Sequence, residues 1–271
     1  MRFKLPYGLK NGKLVHISEV EKGLKCECVC PGCNSVLIAR KGAKTTHHFA
    51  HYNGAECSKA VETALHLSAK EILQKHKKIR IPKVIVDLNF RTENWILSEE
   101  MYIEFDEIKL EYRLDNIVPD VIVLVKGKPL LIEITVTHKT DSEKLAKIKN
   151  AGISCIEINL SKINSELSVE DLEEIVIHQI ELKNWLHNER VTFYKNKANS
   201  IVDRKKIKQR GLAIHVSNCP INSRSYNGWP YANVMDDCSC CEYCLDLKFR
   251  DNSIYCSGRK GIKSIADLRN A

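Results

Sequence analysis

The sequence predicts a mixed α/β protein in which a middle domain of helix, strands, helix and strand is flanked by two small cysteine-rich modules. Three observations carry that expectation. Apolar residues make up 44% of the 271-residue chain, enough to fill a sizeable core, and the length suits about two domains. The longest apolar runs, such as Val118 to Val125, have the length of strands and fall far short of a membrane span. Eleven of the 12 cysteines gather at the two ends, at Cys26, Cys28, Cys30, Cys33 and Cys57 and again from Cys219 to Cys256, with Cys155 alone between. The domains expected are residues 1–57 (zinc-binding module), 58–188 (middle domain), 189–212 (basic linker or helix) and 213–271 (second cysteine-rich module).

The first sixty residues read as short strands and turns broken by glycines, a segment that needs a staple. From Ser58, a candidate N-cap, to about Lys75, Val61, Leu65, Ala69, Ile72 and Leu73 recur at helical spacing. Extended segments follow around Lys83–Phe90, Trp95–Phe105 and Glu107–Arg113. The apolar runs Asp120–Val125 and Leu130–Val136, joined by Lys126-Gly127-Lys128-Pro129, form a hairpin. Asp141–Ala151 is helical and ends at Gly152, Ile153–Asn159 is a strand, and Val169–Asn188 follows the helical period through Leu172, Ile175, Val176, Ile180 and Trp185. Arg190–Arg210 is basic and polar, a linker or an exposed helix.

Cys30-Pro31-Gly32-Cys33 is a tight knuckle whose two thiolates can meet one tetrahedral ion, with His47-His48-Phe49-Ala50-His51 and Cys57 as the second half. The expected zinc ligands are Cys30, Cys33, His48 and one of Cys57 or His51, with Cys57 favoured because it closes the loop just before the helix. Cys26 and Cys28 alternate on one face of an extended stretch and are expected to pack. At the other end, Cys219, Cys238, Cys241 and Cys256 are the preferred zinc quartet, Cys244 being the alternative where two C-x₂-C registers overlap.

In the middle domain, Asp120 opens one apolar strand and Glu133 lies inside the next. A carboxylate in an apolar strand is costly unless a cation or donors meet it. Two on paired strands are what Mg²⁺ or Mn²⁺ requires, and such an ion can polarise a phosphodiester and activate water. Glu62, His66 and Lys70 recur one turn apart and can line the same cleft from the preceding helix. The plainer alternative pairs Asp120 with Arg113 or Lys128 and turns Glu133 to solvent on an edge strand.

Taken together, Cys30-Pro31-Gly32-Cys33, His48-Phe49-Ala50-His51, Glu62-Thr63-Ala64-Leu65-His66, Pro119-Asp120 and Glu133-Ile134-Thr135 resemble the competence CoiA-like family over roughly residues 25–160. That family joins a zinc-binding head to a nuclease domain of the PD-(D/E)XK superfamily, so the resemblance implies a restriction-endonuclease-like core. It further implies metal ligands at Asp120 and Glu133 and supporting acids at Glu62 and Glu111. The superfamily's lysine, two residues after the second acid, is Thr135 here; either Lys144 or Lys147 reaches in from the following helix, or catalysis is lost. The polar lip Thr137-His138 lies near the strand end.

Lysine and arginine number 42 against 34 acids, a net charge of +8 that favours nucleic acid, DNA first, as the partner. Arg224, Tyr226, Trp229, Tyr231, Lys248 and Arg250 supply cations and aromatic faces able to hold a single strand, unless Trp229, Tyr231 and Phe249 form a miniature core. The opening Met1-Arg2-Phe3-Lys4-Leu5-Pro6 has no apolar signal core behind it, so the expected compartment is the cytoplasm and no membrane partner is expected. The function expected is a divalent-metal-dependent deoxyribonuclease in DNA uptake, recombination or phage defence, with two structural zinc ions. A degenerate nuclease fold that binds without cutting is the alternative, and a protein partner held through a zinc module is a further class.

Overall fold

The computed structural model describes residues 5–43, 46–54, 57, 59–87, 95–137, 141–163 and 168–271. Ser58, the residues from 88 to 94 and His138 lie outside them. In chain order the elements begin with the hairpin β1 (Tyr7–Lys10) and β2 (Lys13–His16), then β3 (Leu37–Arg40) paired with β4 (His48–His51), and α1 (Ala60–His76). There follow β5 (Lys78–Ile81), β6 (Val84–Val86), β7 (Trp95–Ser98), β8 (Met101–Glu104), β9 (Glu107–Leu110), β10 (Val121–Val125) and β11 (Lys128–Thr135). Next are α2 (Ser142–Ala151), β12 (Ser154–Asn159), α3 (Val169–Ile177) and β13 (Lys183–His187). The remainder is α4 (Glu189–Ile201), β14 (Asp203–Lys206), β15 (Lys208–Arg210), β16 (Ala213–Ser217), β17 (Arg224–Tyr226), β18 (Trp229–Asn233), β19 (Cys244–Lys248), β20 (Ser253–Cys256) and α5 (Ile265–Asn270).

The chain divides into two compact units, residues 1–82 with 100–188 and residues 83–99 with 189–271. The β6–β7 hairpin therefore goes with the C-terminal residues, and the N-terminal head shares a core with the middle of the chain: Leu37, Phe49, Leu65, Leu73, Ile132 and Ile156 belong to one buried cluster.

The first unit is organised by a five-stranded sheet of order β13-β12-β11-β10-β9, in which β11 and β12 run parallel and the other neighbours antiparallel. Lys126 and Gly127 both take positive φ, 51° and 73°, which is the two-residue turn that matches the twist of a tight hairpin. β11 is buried on both faces, as a central strand must be. Ile132 and Ile134 pack in the cluster that contains α1 residues, whereas Leu131 packs with Ile148 of α2. α2 begins at Asp141, whose carboxylate accepts from the amides of Glu143 and Lys144, and ends at Gly152 with φ 67°.

Two sequence expectations change. The helix expected over Val169–Asn188 ends at Ile177, and Lys183–His187 becomes an edge strand whose Trp185 indole N–H donates to the Pro82 carbonyl at 3.1 Å. The helical spacing of Ile180 and Trp185 was coincidental, because strand pairing to β12 outweighed it. The stretch Arg190–Arg210 holds α4, β14 and β15, so it is built structure on which polar residues ride.

In the second unit, β15-β16-β18-β17 form one sheet and β14-β20-β19 another, around a core of Val216, Ala232, Val234, Leu247 and Ile254 with cysteines. Trp229 and Phe249, 73% and 51% exposed, are outside that core, which excludes the miniature-core alternative for them. No helix among the described residues is long and apolar enough to cross a membrane.

Candidate metal centres and carboxylate site

At the head, Cys30, Cys33, His51 and Cys57 bring one ligand atom each to within 4.8 Å of one another. Three thiols and an imidazole at that spacing can hold a zinc ion. The knuckle is shaped by backbone: the Gly32 amide donates to Cys30 Sγ at 3.4 Å, and Cys33 Sγ lies 3.3 Å from His51 Nε2. A side chain at Gly32 would be crowded, since a Cβ would stand 3.1 Å from Cys57 Sγ and 3.2 Å from the backbone of Ala60, so that the knuckle would have to give. Burial pushes the Cys30 thiol up to about 12, while the Ser35 hydroxyl and amide, then Cys30 and His51, hold Cys33 down at about 6.

His48 is not in the cluster. Its Nδ1 lies 2.8 Å from the Thr46 carbonyl, and strand alternation sets it on the opposite side of β4 from Phe49 and His51. His51 takes its place, and Cys57 joins as well, so the two residues read as alternatives both contribute. Cys26 and Cys28 are fully buried with Sγ atoms donating to backbone carbonyls, as packing residues do.

The carboxylate site lies where β10 begins and β11 ends. Val121 pairs with Ile132, so the register extended by one residue sets Asp120 beside Glu133, and the Ile134 amide donates to Asp120 Oδ2 at 2.8 Å. From α1, His66 Nε2 is 3.3 Å from Asp120 Oδ2 and 2.5 Å from the Ile134 carbonyl. Buried Lys70 reaches Asp120 at 3.3 Å and Glu111 at 2.8 Å. From α2, Lys144 Nζ meets Glu133 Oε2 at 2.6 Å, whereas Lys147 pairs with Glu143 along the helix.

Glu133 is 4% exposed and its Oε1 has no hydrogen-bond partner among the described residues. Burial pushes its carboxyl up to about 7, Lys144 opposing and the neighbouring Asp120 reinforcing the shift. Lys70, through its hydrogen bond and its charge, holds Glu111 below the usual carboxylate range. Asp120 and Glu133 thus find partners other than Arg113, whose guanidinium donates to the Asp115 carbonyl, and Glu133 is central rather than on an edge. Glu62 lies one turn before His66 and makes no hydrogen bond or ion pair with the described residues.

Sequence reasoning passed over Glu157. It sits in register with Glu133 on the neighbouring parallel strand, buried, and its Oε1 accepts from the Thr135 hydroxyl at 2.7 Å. The signal was available, since Cys155-Ile156-Glu157-Ile158 is an acid inside an apolar strand just as Leu131-Ile132-Glu133-Ile134 is.

At the rear, Cys219, Cys238, Cys241, Cys244 and Cys256 all line one cavity of about 20 Å³, the space of a single water or ion. Cys244 faces Cys256 across β19 and β20, and the Gly258 amide donates to Cys256 Sγ at 3.5 Å. Burial, then the neighbouring thiols, push Cys238 up to about 12. Among the described residues the head cluster is the one group of three or more ligands that meets the 4.8 Å spacing, so neither the rear thiols nor the carboxylates converge as closely.

Residues 12–60 match the family model described as Competence protein CoiA, N-terminal domain. No curated protein and no solved structure matches the chain. The matched segment contains all four residues of the head cluster and stops as α1 begins, which supports a CoiA-like head and leaves the carboxylate site beyond it.

Proposed function

We propose that the chain is a divalent-metal-dependent nuclease that hydrolyses DNA phosphodiester bonds, in a competence-related or DNA-defence setting. The observation that carries this reading is the buried end of β10 and β11, where Asp120 and Glu133 stand side by side with Lys144 Nζ 2.6 Å from Glu133. Asp120 Oδ2 and the Ile134 carbonyl both reach His66 Nε2, and oxygens that converge on one nitrogen can share a cation. Glu133 Oε1 is a further buried acceptor oxygen, without a hydrogen-bond partner among the described residues and free to ligate a cation. Asp120, Glu133 and the Ile134 carbonyl therefore fit Mg²⁺ or Mn²⁺, which would supply Lewis acidity toward a phosphate oxygen and an activated water.

The chain's own residues do the remainder. Lys70 orients Asp120 and, with Glu111, fixes the wall made by α1; Lys144 offers the positive charge that the pentavalent phosphate needs, from α2 rather than from position 135. Thr135, hydrogen-bonded to Glu157, keeps the neighbouring strand end in place. Plasmid and linear DNA incubated with Mg²⁺ or Mn²⁺ should be cut by the parent and left whole by Asp120→Ala and Glu133→Ala. Unchanged cleavage by both variants would place the activity elsewhere.

A second reading has its own support: Lys70 and Lys144 already pair with Asp120 and Glu133, so the cluster is near neutral without an ion. In that case the fold binds nucleic acid without cutting, and the parent is inert with every divalent ion while still shifting DNA in a gel. The head cluster, and by our reading the rear cysteines, hold structural zinc.

A further inference from the structure

The sheet β15-β16-β18-β17 of the second unit has one face committed to its core; the other carries exposed side chains toward its two ends, with His215 buried between them. Ile214, Val216 and Ala232 point inward. Residues directly opposite in an antiparallel pair share a face, and the register then gathers the alternate residues on the other side. Tyr226 pairs with Trp229, Arg224 with Tyr231, and Tyr231 in turn with Ser217. His215 pairs with both Asn233 and Lys208, and Arg210 with Ala213. No carboxylate occurs among the residues that the register assigns to this face.

The pattern is held by local geometry. Asn227 and Gly228 take φ of 50° and 80°, the turn that locks Tyr226 opposite Trp229. Both rings stand out, 63% and 73% exposed, at the tip of the β17–β18 hairpin. Tyr231 is propped edge-on by His215, ring centroids 6.1 Å apart, and Lys208 and Arg210 are exposed on the edge strand β15, beyond β16 on the same face. Arg224 is held otherwise, bridging Asp236 and Asp237 at 3.0 and 2.8 Å. Lys248 stacks over Tyr255 in the other sheet, so it is not part of the face.

We propose that this second face binds single-stranded polynucleotide, bases stacking on the exposed Trp229 and Tyr226 at one end while Lys208 and Arg210 on the edge strand meet phosphates further along the strand. Exposed rings are costly in water without an occupant; the two acids that border the face, Asp236 and Asp237, are taken up by Arg224, while Lys208 and Arg210 make no ion pair with the described residues, so the free charge favours a polyanion. Flat aromatic groups beside cations hold a strand without reading its sequence, because every base has a π-face. A duplex hides those faces and offers only phosphates. The inference concerns holding a strand, so it stands whether or not Asp120 and Glu133 cut.

The test titrates the full chain, without added divalent ions, with labelled oligothymidylate and oligouridylate of about 12 nucleotides and with a duplex of the same length. The parent should bind single strands more tightly than duplex, with quenching of tryptophan emission. Trp229→Ala should weaken single-strand binding by about 5- to 150-fold, with Trp229→Phe restoring most of it. The double variant Lys208→Gln, Arg210→Gln should flatten the salt dependence while the quench persists. Equal binding of DNA and RNA fits the face; a preference for one names the natural strand. Absence of binding to either oligonucleotide, or Trp229→Ala binding like the parent with normal zinc content, would overturn the proposal and leave the face to a protein partner.

Discussion

Glu133 concentrates the physics of the site in one side chain: buried, paired on one oxygen by Lys144 and without a partner on the other among the described residues. With its carboxyl raised to about 7, the folded chain keeps a proton between the ordinary carboxylate range and about pH 7 that the unfolded chain has lost. Stability from this group is therefore present at low pH and falls as pH rises toward 7. Unfolding in urea, without added Mg²⁺ or Mn²⁺, should show Glu133→Gln gaining on the parent between pH 5 and pH 7.5, and a difference that stays flat across that range would refute the assignment. Lys144 is the second residue with a sharp consequence. If it offsets charge on the phosphate, Lys144→Met should slow cleavage about a hundred- to thousandfold, as loss of one such donor does elsewhere, with little effect on DNA binding. Equal losses in binding and cleavage would make it a backbone contact instead.

At the scale of elements, α1 links the two candidate sites. Its first turn abuts the zinc knuckle, where Gly32 lies against Ala60 and Cys57, and its middle presents His66 and Lys70 to Asp120. Gly32→Ala should thus lower zinc retention, because the new methyl falls at 3.1 Å from Cys57 Sγ, and should reduce cleavage through α1 without touching the carboxylates. Zinc release to a chromophoric chelator and the cleavage rate check the two halves; a variant that loses zinc yet cuts at the parental rate would uncouple them. The elements most legible in the sequence were those whose ends carry their own chemistry. Asp141 and Gly152 bracket α2, and Gly127 marks the β10–β11 turn. Less legible was Lys183–His187, where helical periodicity ran on past the true end at Ile177 and only pairing to β12 decides the strand. His51 over His48 was likewise a matter of which side of β4 faces the knuckle, and the spacing of the two histidines does not encode it. Asp120 and Glu133 were readable because a charge in an apolar strand needs a partner; the resemblance left Lys144 and Lys147 open, and the contact with Glu133 falls to Lys144 while Lys147 pairs with Glu143.

For the whole molecule, a net charge of +8 and two units with separate cores suit the proposed partner, nucleic acid, with a carboxylate site in one unit and an aromatic face in the other. Metal content distinguishes the ends: two zinc ions per chain are expected, and Cys30→Ser should remove one while the rear cysteines keep theirs. A parent with a single zinc that Cys30→Ser abolishes would return the rear thiols to a packing role. The central claim, that Asp120 and Glu133 hold a catalytic divalent ion, is tested most directly by titrating Mn²⁺ into the zinc-loaded chain, with paramagnetic resonance reporting bound ion and DNA cleavage followed in the same samples. Cleavage should rise in step with a bound Mn²⁺ that both Asp120→Ala and Glu133→Ala lose while their zinc stays. Mn²⁺ bound equally by parent and variants, or cleavage that ignores its occupancy, would contradict it.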